Sequence, residues 1–210
     1  EGAFYRRFVL GEWVAAEGRV YDFFDESFVK PPPEGEMSQW YISCDYGTVN
    51  PMSMGLWGLQ KGVWYRVKEY YFDSRAKKRQ MTDGEYEREL RALAGGREIR
   101  EVIVDPSAAS FIQLLRQKGW RVRKANNDVL SGIRATADAL KSGRIRICTP
   151  CRDCLREMEE YVWDLRGGQR DQVKKEHDHA MDDMRYFVST VLTGAETGFC
   201  VGSVARRRVT

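Results

Sequence analysis

Between Trp40 and Asp73 apolar and polar residues alternate in three runs, "WYISCDYG", "MSMGLWGLQ" and "VWYRVKEYYFD". A period of two belongs to β-strands. Lys61 and Gly62 stand between the last two runs, where a tight turn is required, so the segment predicts a three-strand antiparallel meander. The period then lengthens. In "TDGEYERELRALAGG", Thr82 and Glu85 have capping-box spacing and Gly95 is a stop signal, which predicts a helix over 83–94.

"EVIVDP" reads as a further short strand, and beyond it the style changes. "SAASFIQLLRQKG" predicts a helix, "WRVRKA" a strand, "VLSGIRATADALKSG" a helix and "RIRICTP" a strand. Such alternation implies parallel strands joined by right-handed crossovers. "CRDCLREMEEYVW" then predicts a helix, "DLRGGQRDQVKKE" a polar loop or hairpin, and "DHAMDDMRYFVSTVL" a closing helix. The expected fold class is α/β, with a mixed sheet (the antiparallel meander followed by parallel strands) flanked by helices. "KPPPEGE", residues 30–36, is the clearest break, because consecutive prolines favour an extended linker. Residues 1–35 are accordingly expected to form an N-terminal arm and linker, and 36–210 one domain.

Composition adds limits. At 42% hydrophobic and 31% charged residues the chain reads as globular with a charge-rich surface. No apolar run approaches the roughly 20 residues that span a bilayer, and the first residues lack a signal-peptide pattern, so no membrane partner and a cytoplasmic location are expected. A net charge of +3 does not by itself argue for nucleic acid. Cys148, Cys151 and Cys154 in "CTPCRDC" have metal-like spacing, but no second Cys or His pair follows nearby, and a strand end running into a helix explains the spacing as well.

The chemistry lies in the acids. "YISCD" and "EVIVD" both end on aspartate, Asp45 and Asp105, and a parallel arrangement brings both ends to one sheet edge, where open α/β sheets bind ligands. Singly, each Asp could merely cap a turn or helix. Near the start of the last helix stand Asp178, Asp182 and Asp183, with His179. Asp178 is a good N-cap, which accounts for one acid. Three carboxylates within about 4 Å of one another repel by several kcal/mol per pair at an effective dielectric near 20, so they need a cation. Oxygen ligands without thiolates select Mg²⁺ or Mn²⁺, and a pair of such ions is suited to in-line attack on phosphodiesters.

At this point the chain resembles the nuclease domain of the large terminase subunit of tailed bacteriophages, within the ribonuclease H-like superfamily. The resemblance rests on "DYGTVNP", "VIVDPSAASF", "VLSGIRATADAL" and "DHAMDDMRYF" in that order. It implies a metal-dependent endonuclease that cuts concatemeric viral double-stranded DNA during packaging, in the cytoplasm of the infected bacterial host. Implied partners are double-stranded DNA, the terminase small subunit, the portal protein and an N-terminal packaging ATPase. No G-x-x-x-x-G-K-[ST] loop occurs in the 210 residues, so the motor lies outside this chain. Residue by residue, the resemblance implies two divalent cations held by Asp45, Asp105 and the Asp of a His-x-x-Asp pattern, here Asp182 after His179. Asp183 departs from relatives, which more often carry a small residue there. The helical stripe of Ala180, Met184, Phe187 and Val191 lies closer to Asp183 than to Asp182, which keeps Asp183 as a possible second ligand.

Other readings compete. "DYGT" also resembles the first phosphate loop of actin-like sugar kinases and chaperone ATPases, but "PSAAS" after Asp105 is no glycine-rich second loop. A non-catalytic DNA- or portal-binding domain is disfavoured by the complete set of acids. A resolvase or transposase of the same superfamily is the nearest enzymatic rival. The basic loop "RGGQRDQVKK", residues 166–175, directly precedes the acidic helix, so Arg170, Lys174 and Lys175 are expected to contact DNA phosphates.

Overall fold

A computed structural model of the chain describes residues 18–164 and 172–193. Seven strands form one mixed sheet in the order β1-β7-β4-β3-β2-β5-β6. The meander is present as expected: β2 (Gln39–Asp45), β3 (Met52–Gln60) and β4 (Val63–Phe72) pair antiparallel. Lys61 and Gly62 both take positive φ in the turn between β3 and β4, as a two-residue hairpin requires. Helix α1 (Asp83–Ala94) has the complete Thr82–Glu85 capping box and ends on left-handed Gly95. The parallel part follows: β5 (Ile99–Val104) beside β2, helix α2 (Ala109–Gln117), β6 (Val122–Lys124) beside β5, helix α3 (Val129–Lys141) and β7 (Ile145–Cys148) beside β4.

Two helical layers cover the sheet. On one face α1 and α2 pack over Ile42, Cys44, Met54, Leu56, Val102 and Val104. On the other, α3, helix α4 (Arg152–Glu160) and helix α5 (His179–Phe187) pack over Tyr41, Trp57, Ile103 and Ile147. Strand periodicity fixes which residues meet α5. With Ile42 and Cys44 in the first core and Tyr41 in the second, Ser43 and Asp45 fall on the α5 side. Trp57 and Phe187 clamp α5 to the sheet with rings 4.1 Å apart and nearly parallel.

Two expectations need correction. The helix beginning at Cys151 stops at Glu160, because Val162 and Trp163 instead form antiparallel bridges with Arg19 and Val173. The closing helix does not stay α-helical: it changes after Phe187 into a π-helical segment, Val188–Leu192. The described end of the arm packs on the domain itself. Tyr21 and Phe24 are buried in the second core, and Val29–Lys30 forms β1, parallel to β7 at the sheet edge. The strand ends at Lys30, and Pro31–Pro33, which have no N–H to donate, follow outside it.

Candidate active site

Asp45 ends β2, and Asp105 directly follows β5 on the neighbouring parallel strand, where its N–H donates to Cys44 O at 3.3 Å. The shared edge foreseen from the sequence is therefore real. Helix α5 adds His179 and Asp182, and all four side chains line one cleft of about 860 Å³.

Each cleft acid has its own surroundings. Asp45 is 8% exposed and sits 2.9 Å from Nδ1 of His179. Burial pushes its pKa up to about 7, with Asp182 and Asp183 adding to the rise and His179 opposing it. Burial works against a charged His179, but the hydrogen bond and charge of Asp45 outweigh it and hold the imidazole above its ordinary pKa. Asp182 accepts from Arg185 Nη2 at 2.9 Å and Nε at 3.3 Å. Arg185 in turn donates to the carbonyls of Asn127 and Asp128 at 2.9 and 3.1 Å, tying α5 to the loop before α3. Gly132 on α3 makes that possible, since a Cβ there would overlap the Arg185 stem. Asp105 accepts the Ser107 N–H at 2.9 Å and pairs with no Lys, Arg or His among the described residues.

Two acids depart from their expected roles. Asp178 stands at the N-cap of α5 without a side-chain capping bond. Glu157 of α4 supplies the cap instead, accepting the Ala180 N–H at 2.6 Å, while its other oxygen takes the Tyr71 hydroxyl at 2.5 Å. Burial pushes the Glu157 pKa up to about 7. The Asp178 carboxylate is thereby free to line the cleft, where burial and then Asp182 raise its pKa. Sequence reasoning missed both roles, because the cap comes from another helix.

Asp183 needs the second correction. It is fully buried on the sheet side of α5, away from the cleft lining. Both its oxygens are taken by Arg66, with Ser43 at 2.9 Å and Ser53 completing the shell. It is a counterion of the core, not a ligand facing the cleft. The helical stripe correctly placed it nearer the core, and for that reason it is unsuited to the cleft.

Lys175 sits beside the acids, its Nζ 3.5 Å from Asp178 and 3.8 Å from Asp182. Lys174 pairs with Glu176 at 2.5 Å. Arg170 lies outside the described residues. Cys148, Cys151 and Cys154 are buried free thiols, and Cys151 donates its S–H to the Arg66 carbonyl.

The donor set fits hard divalent cations. Carboxylates face a solvent-open cleft, and burial raises the Asp45 carboxyl to about 7, with Asp182 and Asp183 adding to the rise, so a cation beside it would favour the charged form. Among the described residues no three His, Cys, Asp or Glu side chains close on a common point, so the cleft presents ligands without a finished cage.

Comparison with known proteins gives this geometry its context. Residues 42–190 match the family model of the terminase RNase H-like domain. The large terminase of a thermophilic bacteriophage is 49% identical with a TM-score of 0.81, over 91% of this chain and 50% of that one. This chain thus spans about half of that protein. The SPP1 large-terminase nuclease domain with bound Mn is 14% identical, with a TM-score of 0.57 over 79% of this chain and 95% of that one. The nuclease of the large terminase of phage G20c with bound magnesium is 12% identical, at a TM-score of 0.62 over 84% and 98% of the two chains. No curated protein matches. With its sheet order, its strand-end aspartates and a family match over most of its length, the chain belongs to the terminase RNase H-like domain family.

Proposed function

We propose that the cleft is the active site of a divalent-metal-dependent endonuclease that cuts double-stranded viral DNA during genome packaging. The observation that carries this reading is that Asp45, Asp105 and Asp182, drawn from three separate elements, line one cleft. The Mn and magnesium held by the SPP1 and G20c nucleases support it. Asp45, Asp105 and Asp182 would hold two cations, Mg²⁺ or Mn²⁺, which supply charge neutralisation at the phosphate and a water nucleophile of lowered pKa.

The chain's own residues have separable tasks. Arg185 fixes the Asp182 carboxylate against the loop before α3, so that ligand is oriented before any cation arrives. His179 has Nδ1 engaged by Asp45, which leaves Nε2 as the atom that exchanges a proton with the leaving 3′ oxygen. Lys175 offers an ammonium to a phosphate entering the cleft, and Lys174 and Arg170 extend that basic stretch along the chain.

In the complete machine this domain would act with an N-terminal packaging ATPase, the terminase small subunit and the portal protein, in the cytoplasm of the infected bacterial host. The test is cleavage of linear duplex against a four-way junction in Mn²⁺. Comparable cutting of plain duplex supports the packaging reading. Strict dependence on the junction would favour a resolvase.

A further inference from the structure

The cleft is a poor place to gain affinity for DNA. Asp45, Asp105, Asp178 and Asp182 all face it, and phosphates approaching them are repelled until cations are bound. Affinity for a duplex must come from a cationic rim, because neutralising phosphates supplies most of the sequence-independent binding.

One such rim is built between β4 and α1. Arg75, Lys77, Lys78 and Arg79 follow one another in an exposed turn. The turn is wound by its own backbone: Asp73 Oδ1 accepts the N–H groups of Arg75 and Ala76 at 2.9 and 3.0 Å, Asp73 O accepts Lys77 N–H, and Ser74 O accepts Arg79 N–H. Lys78 takes a left-handed conformation, φ 49°, an unusual state for a residue with a Cβ, and its N–H is held by the Arg75 carbonyl at 3.1 Å. The backbone is therefore set before any ligand arrives.

The cations of this turn differ in their engagements. Arg79 pairs with Glu85 and Arg75 donates to Asn50 Oδ1 at 2.8 Å, but Lys77 and Lys78 have no ion-pair partner among the described residues. Location gives the turn a direction. Asp73, Arg75 and Asn50 form part of the catalytic cleft's wall. Arg75 and Lys78 also line a second hollow of about 300 Å³, together with Val49, the one large apolar side chain standing exposed among the described residues. The two hollows share Arg75, so a DNA strand leaving the cleft along this wall meets Lys78 next, with Lys77 exposed beside it in the chain.

We infer that the Asp73–Gln80 turn is a docking surface for the phosphodiester backbone of duplex DNA flanking the scissile bond, with Lys77 and Lys78 making the phosphate contacts and Arg75 joining the turn to the cleft. The inference rests on the nuclease reading and deepens it. A surface of this kind positions DNA without reading sequence.

The test is equilibrium binding of a fluorescent duplex of about 30 base pairs to the chain silenced by Asp105→Asn, with and without Lys77→Ala plus Lys78→Ala, over a series of salt concentrations. Two lost phosphate contacts should lower the log–log salt slope by about 2 and the affinity roughly tenfold at low salt. In the unsilenced chain the same pair should raise KM with kcat unchanged, leave the Mn²⁺-induced rise in Tm unchanged, and be rescued by Lys77→Arg plus Lys78→Arg. Unchanged affinity and slope, from a parent that binds and cuts duplex, would overturn the inference while sparing the nuclease reading. A parent that neither binds nor cuts duplex DNA would overturn both.

Discussion

Asp182 and Asp183 are adjacent on α5, yet Asp182 faces the cleft beside Arg185 and Asp183 is sealed against Arg66 in the core. Their substitution should separate activity from stability. Asp183→Asn strands a fully buried guanidinium, which costs about 3–5 kcal/mol when one partner of such a pair is removed. Asp182→Asn weakens a buried pair but leaves Arg185 bonded to the Asn127 and Asp128 carbonyls, so it should cost less, about 1–3 kcal/mol, while ending cleavage. Urea unfolding beside a cleavage assay checks both. Adding Arg66→Met to Asp183→Asn should return a large part of the lost stability, since the unpaired charge is then gone.

Gly55 holds the space that this pair occupies. A Cβ at that position would overlap the Arg66 guanidinium, and Arg66 has no exposed surface into which to retreat. Gly55→Ala should therefore destabilise the fold by about 1–3 kcal/mol, as overpacking does. An unchanged Tm would show that the buried pair is free to shift.

Cation binding should depend on pH through Asp45. Its carboxyl is pushed up to about 7 by burial, so below that pH an incoming cation must displace a proton, and above it the carboxylate is already charged. Affinity for Mn²⁺ should weaken by up to about tenfold for each pH unit below that value and level off above it. Calorimetric titrations from about pH 5.5 to 8.5 measure this. Asp45→Asn should flatten the dependence as well as weaken binding.

Lys175 competes with the cations for the carboxylates of Asp178 and Asp182. The ammonium is well exposed, so its attraction is screened and modest. Lys175→Ala should tighten Mn²⁺ binding by about two- to fivefold. The same substitution should lower the salt slope of duplex binding by about 1, as loss of one phosphate contact does. Weaker Mn²⁺ binding in this variant would show that Lys175 supports the acids and does not oppose the cations.

What the sequence conveyed and what it hid divide along a physical line. The Lys61–Gly62 turn, the Thr82–Glu85 box and the alternating strands are local patterns, and each appears where its spacing places it. The shared edge of Asp45 and Asp105 was legible because parallel strands bring equivalent ends together. The contacts that decide the remaining roles join residues far apart in the chain: Arg66 to Asp183 across 117 positions and Ser43 to Asp183 across 140. No periodicity in α5 reveals that a buried Arg waits beneath Asp183, or that Glu157 of another helix frees Asp178 from capping. The pairing of β1 with β7 was hidden for a similar reason, since two residues are too few to show a period.

The central claim is that Asp45, Asp105 and Asp182 form a cation-dependent phosphodiesterase site. Plasmid cleavage by the wild-type chain and by Asp105→Asn, each with Mn²⁺ and with excess chelator, tests it most directly, because Asp105 pairs with no cationic side chain among the described residues and its loss should leave the fold intact. The account predicts degradation of plasmid by the wild type in Mn²⁺, none in chelator, and none by Asp105→Asn at a Tm close to that of the parent. Undiminished cutting in chelator, or wild-type cutting by Asp105→Asn, would contradict it.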